Sequence, residues 1–124
     1  MNVVIRRVKR EVNRVIQETI TQIEERIKKA KSLNDAKKRE LLNLLSILKI
    51  EVSELSKTHA EHTQSITGFT EVSIHEAMRE EKNPQLLKLS LQGLSTSVEG
   101  FESSHPKLVG IVNSICLTLS NIGI

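Results

Sequence analysis

The sequence predicts an all-α protein: a helical bundle of about four to five helices with a long N-terminal helix and coiled-coil-like seams. Three observations carry that reading. Apolar residues recur every three or four positions through most of the 124 residues, which is the spacing of one helix face. Both prolines come late, at Pro84 and Pro106, so the first 83 residues pass without the strongest helix breaker. Aromatic residues make up only 2% of the chain, and no strict polar/apolar alternation bounded by turn dipeptides occurs, so a sheet would lack its usual cross-strand partners.

In the first segment, residues 1–31, the apolar stripe runs Ile5, Val8, Val12, Ile16, Ile20, Ile23, Ile27, Ala30, close to 3.6 residues per step. Its β-branched seam is of the kind found in coiled coils. Lys28, Lys29 and Lys31 lie where the negative pole of the helix dipole favours cations, and Ser32 to Asp35 forms the junction. Residues 32–124 read as the bundle proper, making a single compact unit with the first helix. Asn34 is placed to cap a second helix with Asp35 in its first turn. Leu41, Leu45, Leu48, Val52 and Leu55 form its stripe, widened by Leu42, Leu44, Ile47 and Ile50, so this helix must be covered on several sides. Gly68 interrupts the pattern, and Thr70 or Ser73 could cap a short continuation to about Glu81.

Asn83-Pro84 marks the clearest boundary, an N-cap residue followed by proline at the first helical position. Leu87, Leu91, Leu94, Val98 and Phe101 follow as the next stripe. Gly93, Ser97 and Gly100 beside it would let another helix approach closely. His105-Pro106 restarts the chain, Leu108, Val112, Ile115, Leu119 and Ile122 form the last stripe, and Gly123 is placed as its C-terminal cap. The final 17 residues carry no charged side chain. Asn113, Ser114, Thr118, Ser120 and Asn121 nevertheless make this a core helix and not a membrane span.

At this length one domain is expected. A single cysteine cannot form an internal disulfide, and Arg6-Arg7 follow the N-terminus too soon for a signal-peptide apolar stretch, so a cytoplasmic location is expected. Charge is uneven: residues 1–31 hold nine Lys/Arg and four Asp/Glu, and the remainder holds nine and eleven. Arg6, Arg7, Lys9, Arg10 and Arg14 supply most of the excess. They form a candidate anion-binding set for a membrane surface or for nucleic-acid phosphates, with a solvated face pairing acidic neighbours as the competing reading. Base readers near them are few, Asn13 and Gln17 alone.

His59 and His62 extend the second-helix stripe from Leu55 towards Ile66 and Phe69. Three readings stay open for them: a polar layer in the seam, a metal site, or exposure beyond a bent helix. No third ligand at a recognised distance accompanies them, so no metal is expected. His75 reads as a surface partner of Glu71 one turn earlier, His105 as a helix cap, and Cys116, between Ile115 and Leu117, as inert packing. Asp35 is the sole aspartate, sits at a helix start, and no Gly-rich loop is present to cradle phosphate. Enzymatic activity, a cofactor and a small-molecule substrate are therefore not expected.

The segment Phe101-Glu102-Ser103-Ser104-His105-Pro106-Lys107-Leu108, with the closing Leu119-Ser120-Asn121-Ile122-Gly123-Ile124, resembles a small bacterial family of uncharacterised proteins. Those proteins end in Phe-Glu-x-x-His-Pro-x-Leu and a Gly-Ile tail. Leu33-Asn34 with Arg39-Glu40-Leu41-Leu42 extends the likeness to roughly residues 20–124, and the basic stretch 1–19 has no counterpart in it. The resemblance implies an all-helical domain of unknown function and supplies no catalytic residues. On the residues themselves, the tail describes a helical hairpin. Four seams on one short chain point to a self-associating scaffold or adaptor, a homo-oligomer. The alternative is an anion-binding module docking on membrane or nucleic acid through the basic helix.

Overall fold

A computed structural model describes residues 2–123, apart from the side chain of residue 2. Met1 and Ile124, which open the basic stretch and close the tail motif, lie outside the described residues. Five helices follow in order: α1 (Asn2–Lys29), α2 (Asp35–Ser56), α3 (Ala60–Ala77), α4 (Pro84–Ser97) and α5 (Pro106–Ile122). There is no strand among the described residues.

Local chemistry sets most of the boundaries. The Asn34 side chain accepts a 2.8 Å hydrogen bond from the Lys37 N–H at the start of α2, and Asn83 accepts one of 3.1 Å from Leu86 with Pro84 behind it. At the far end the Gly123 N–H donates to the Leu119 carbonyl, closing α5. Gly100 turns the chain after α4 with φ of 93°, a backbone open to glycine at no steric cost, and Phe101 then folds back into the core.

α3 lies at the centre of the bundle, touching the other four helices, while α1 packs on α2 and α3, and α5 closes against α2 and α4. The stripes meet where their spacing puts them. Ile20, Ile23 and Ile27 of α1, Leu41, Leu45, Leu48, Val52 and Leu55 of α2, and Leu108, Val112, Ile115 and Leu119 of α5 are all 0% exposed. One copy of the chain shelters these residues, whereas Ile5 and Val8 of the first stripe, and Ile50 beside the second, stay exposed. Polar ties fix their register: Gln17 donates to the Lys49 carbonyl, Lys49 Nζ sits 2.8 Å from Glu24, and the Thr118 hydroxyl donates to Glu40 at 2.9 Å. That hydroxyl, helped by Lys37, holds the Glu40 carboxyl below the usual carboxylate range.

The second helix is where expectation and structure part. The chain breaks at Lys57 to His59, and α3 then runs unbroken through Gly68, which sits exposed in mid-helix. Thr70 and Ser73 cap nothing; both are buried. At the break, the N–H groups of Thr58 and His59 both donate to the Leu55 carbonyl, tightening the last turn of α2 and reversing the chain. A four-three stripe counts positions but carries no sign of such a reversal, so the Leu55-His59-His62-Ile66 spacing hid it.

α3 also buries a face that hydropathy does not mark. Thr63, Thr67, Thr70 and Ser73 line it beside Ile66, Ile74 and Ala77. Their small side chains let a central helix be approached from several sides. Thr63 and Thr70 return their hydroxyls to their own helix, to the Ala60 and Ile66 carbonyls at 2.7 Å each. The Thr67 and Ser73 hydroxyls are buried without a partner. Thr67→Val, which keeps the shape and removes the hydroxyl, is therefore expected to stabilise the protein by about 1 kcal/mol in urea denaturation. A loss of similar size would show the hydroxyl to be satisfied. The approach of α4 follows the small-residue reading at Gly93, where a β-carbon would run into the Phe69 ring.

Candidate functional site

α1 outruns the bundle. Asn13 accepts a hydrogen bond from the hydroxyl of Ser56, the last residue of α2, so the residues before Asn13 extend past that helix by roughly 16 Å. From Ile16 onwards one face is covered, whereas every residue from Val3 to Arg10 is exposed. At about 100° per residue, Val4, Ile5, Val8, Val12 and Val15 fall in one arc, and Arg6, Arg7, Lys9, Arg10 and Arg14 fall in the opposite one, with Val3 among them. Val4 is 63% and Val8 56% exposed, so this end of the apolar strip has no partner in its own chain, and only Val12 packs against the core.

The five cations are not equivalent. Arg14 bridges Glu11 at 2.6 Å and Glu18 at 2.9 Å within its own helix, and this pairing raises its own pKa while the hydrogen bond and charge of Arg14 lower that of Glu11. Arg6, Arg7, Lys9 and Arg10 have no carboxylate partner among the described residues. They also follow a first turn that holds no acidic residue, so positive charge accumulates near the positive pole of the helix. Arg6, Lys9 and Arg10 share a recess of about 400 Å³ with Lys57, just past the end of α2, and no carboxylate among the described residues lines it. Asn13 and Gln17, the two residues with base-reading chemistry, are both spent on α2.

His59 and His62 are brought together, but on the surface and not in the seam of a continuous helix, because the chain has already turned at Lys57 to His59. They stand edge-on to the buried Phe101 ring, each centroid 5.3 Å away, and His105 joins at 5.6 Å. His59 and His105 occupy the same structural position, in the connections from α2 to α3 and from α4 to α5. Each precedes a helix at φ near −136°, makes no side-chain capping bond, and meets a neighbouring hydroxyl through Nδ1, Thr58 at 2.8 Å and Ser104 at 3.0 Å. The parallel between Leu55-x-x-Thr-His and Phe101-x-x-Ser-His was present in the sequence as a signal and went unread. Among the described residues no three His, Cys, Asp or Glu groups converge to hold a metal ion.

His75 lies 3.8 Å from Glu76, not against Glu71, which instead stands 3.8 Å from Arg26 of α1. Cys116 is half-buried with its thiol pushed up by desolvation, and Asp35 sits in the first turn of α2. No helix among the described residues is long and apolar enough to cross a membrane.

Fold and surface together define a small five-helix protein that carries one amphipathic, cationic helix beyond the end of its bundle. Residues 41–124 match the domain of unknown function DUF4404, and the chain belongs to that family. The match takes in most of α2 and all of α3 to α5. It begins after Leu33-Asn34 and Arg39-Glu40, which the resemblance had included, and leaves α1 outside. No curated protein and no solved structure shows significant similarity to the chain.

Proposed function

We propose that this protein is a non-enzymatic docking module that lays the projecting part of α1 on an anionic membrane surface. The carrying observation is the segregation on that segment of an exposed valine strip from four cations without carboxylate partners. A phosphate-rich surface satisfies the cations, and the strip beside them fits the boundary between headgroups and acyl chains. Nucleic acid would satisfy the charge alone, leaving Val4 and Val8 in water. The raised Cys116 thiol and the position of Asp35 favour a role without catalysis.

Co-sedimentation tests this reading directly. Binding is expected to vesicles containing phosphatidylserine and not to phosphatidylcholine alone, and it should fall steeply as salt is raised. Equal binding to both vesicles, no binding at low salt, or tighter binding to duplex DNA than to vesicles would each remove it.

The second reading is self-association, and one observation favours it: the exposed Ile5, Val8 and Val15, with the half-buried Val12 between them, keep the four-three spacing of a coiled-coil seam. In a parallel pair the cations alongside that strip would repel. A dimer whose population grows with concentration in light scattering, at salt high enough to screen them, would support this role for the strip.

A further inference from the structure

We propose that the cleft between α4 and α5 binds a free single-chain carboxylate, a fatty acid, with its headgroup at the N-terminal end of α4. The cleft is an open groove of about 650 Å³, within the range of sites that hold small molecules. Leu87 and Leu91, one turn apart on α4, give it an apolar wall, and Cys116 and Ser120 of α5 face them. Its charge is one-sided: Lys82 and Lys88 line it, and among the described residues no carboxylate does. Both lysines lie close to Pro84, where α4 begins and its dipole is positive. Lys88 has no carboxylate partner among the described residues, and Lys82 donates one proton to the Ala77 carbonyl, leaving two for a ligand. Cationic groups at one end and leucines along the length match an anionic head and a hydrocarbon tail. α1 touches neither wall, so this site is independent of the membrane-docking surface.

The test uses the full chain and dodecanoate below its micellar concentration, read by titration calorimetry and by the rate of alkylation of Cys116, the only cysteine. Saturable one-to-one binding is expected, with alkylation slowed about tenfold when free ligand exceeds Kd by about ten. Dodecanol, which lacks the charge, and acetate, which lacks the chain, should each bind far more weakly. Lys88→Glu, a change at an exposed position, should weaken dodecanoate about fivefold and leave dodecanol unaltered. Absence of protection, equal protection by dodecanol, or an unchanged Kd in Lys88→Glu would overturn the proposal. So would protection that rises with protein concentration alone, because a second copy would then be the occupant.

Discussion

Replacing Arg6, Arg7, Lys9 and Arg10 together by glutamine is expected to weaken binding to phosphatidylserine vesicles by about three orders of magnitude at low salt. Each basic residue held near an anionic leaflet contributes about 1 kcal/mol, and four such contributions amount to a factor of roughly 10³. The change should not cost helix. All four positions are exposed, glutamine is a good helix former, and removing cations near the positive pole is mildly favourable. Circular dichroism and the urea midpoint should therefore match the unaltered protein. Arg14→Gln supplies the contrast within the same stretch, since Arg14 is already occupied by Glu11 and Glu18. Its loss should cost less than about fivefold, while any one of the other four should cost about that much. Vesicle binding that survives the fourfold change, or that depends on Arg14 as strongly as on Arg7, would refute docking through these cations.

The difference between Arg14 and its neighbours shows what the sequence can and cannot carry. Composition located the cations, because a count of charges needs no structure. Which of them are spent depends on side-chain reach within one helix turn, and spacing alone admits both outcomes. The stripes of α1, α2, α4 and α5 were legible for a related reason: a helix buried on one side repeats its apolar residues at its own period, and Asn34, Asn83 and Gly123 mark ends by local hydrogen bonding that needs no tertiary partner. α3 was not legible in this way. Its buried face is made of threonine and serine because four helices crowd it, and crowding is a property of the assembled bundle. The pairing of His59 with His105 around Phe101 likewise joins residues far apart in the chain, while the reversal at His59 rests on local bonds to the Leu55 carbonyl that the stripe spacing does not reveal. The cleft between α4 and α5 belongs to the same class. Its apolar wall reads as ordinary core stripe until the helices are set side by side, so a chain with no visible substrate motif still presents a ligand-sized space.

The central place of α3 makes Ile66→Ala the single substitution with the largest expected effect on stability, a loss of about 3 to 4 kcal/mol. Ile66 is 0% exposed, and its neighbours on the buried face, Thr63, Thr67 and Thr70, are short and held in hydrogen-bonded or tightly packed positions. They cannot move in to fill the space that three lost carbons would leave, so the cavity remains and its cost adds to the lost transfer energy. Ile16→Ala removes the same atoms from a different setting. Ile16 is 3% exposed and is the first fully covered residue of α1, at the edge where that helix leaves the bundle. A helix end free on one side can settle inward, so the expected loss there is about 2 kcal/mol. Urea titration of both variants measures the pair, with unchanged slopes confirming that the unfolded state is common to both. Because a small domain holds only about 5 to 15 kcal/mol in all, Ile66→Ala should shift the midpoint visibly, yet leave a folded population. Were Ile66→Ala the milder of the two, the bundle would be organised around α1 and α2, and α3 would be a covering helix rather than the one on which the others rest.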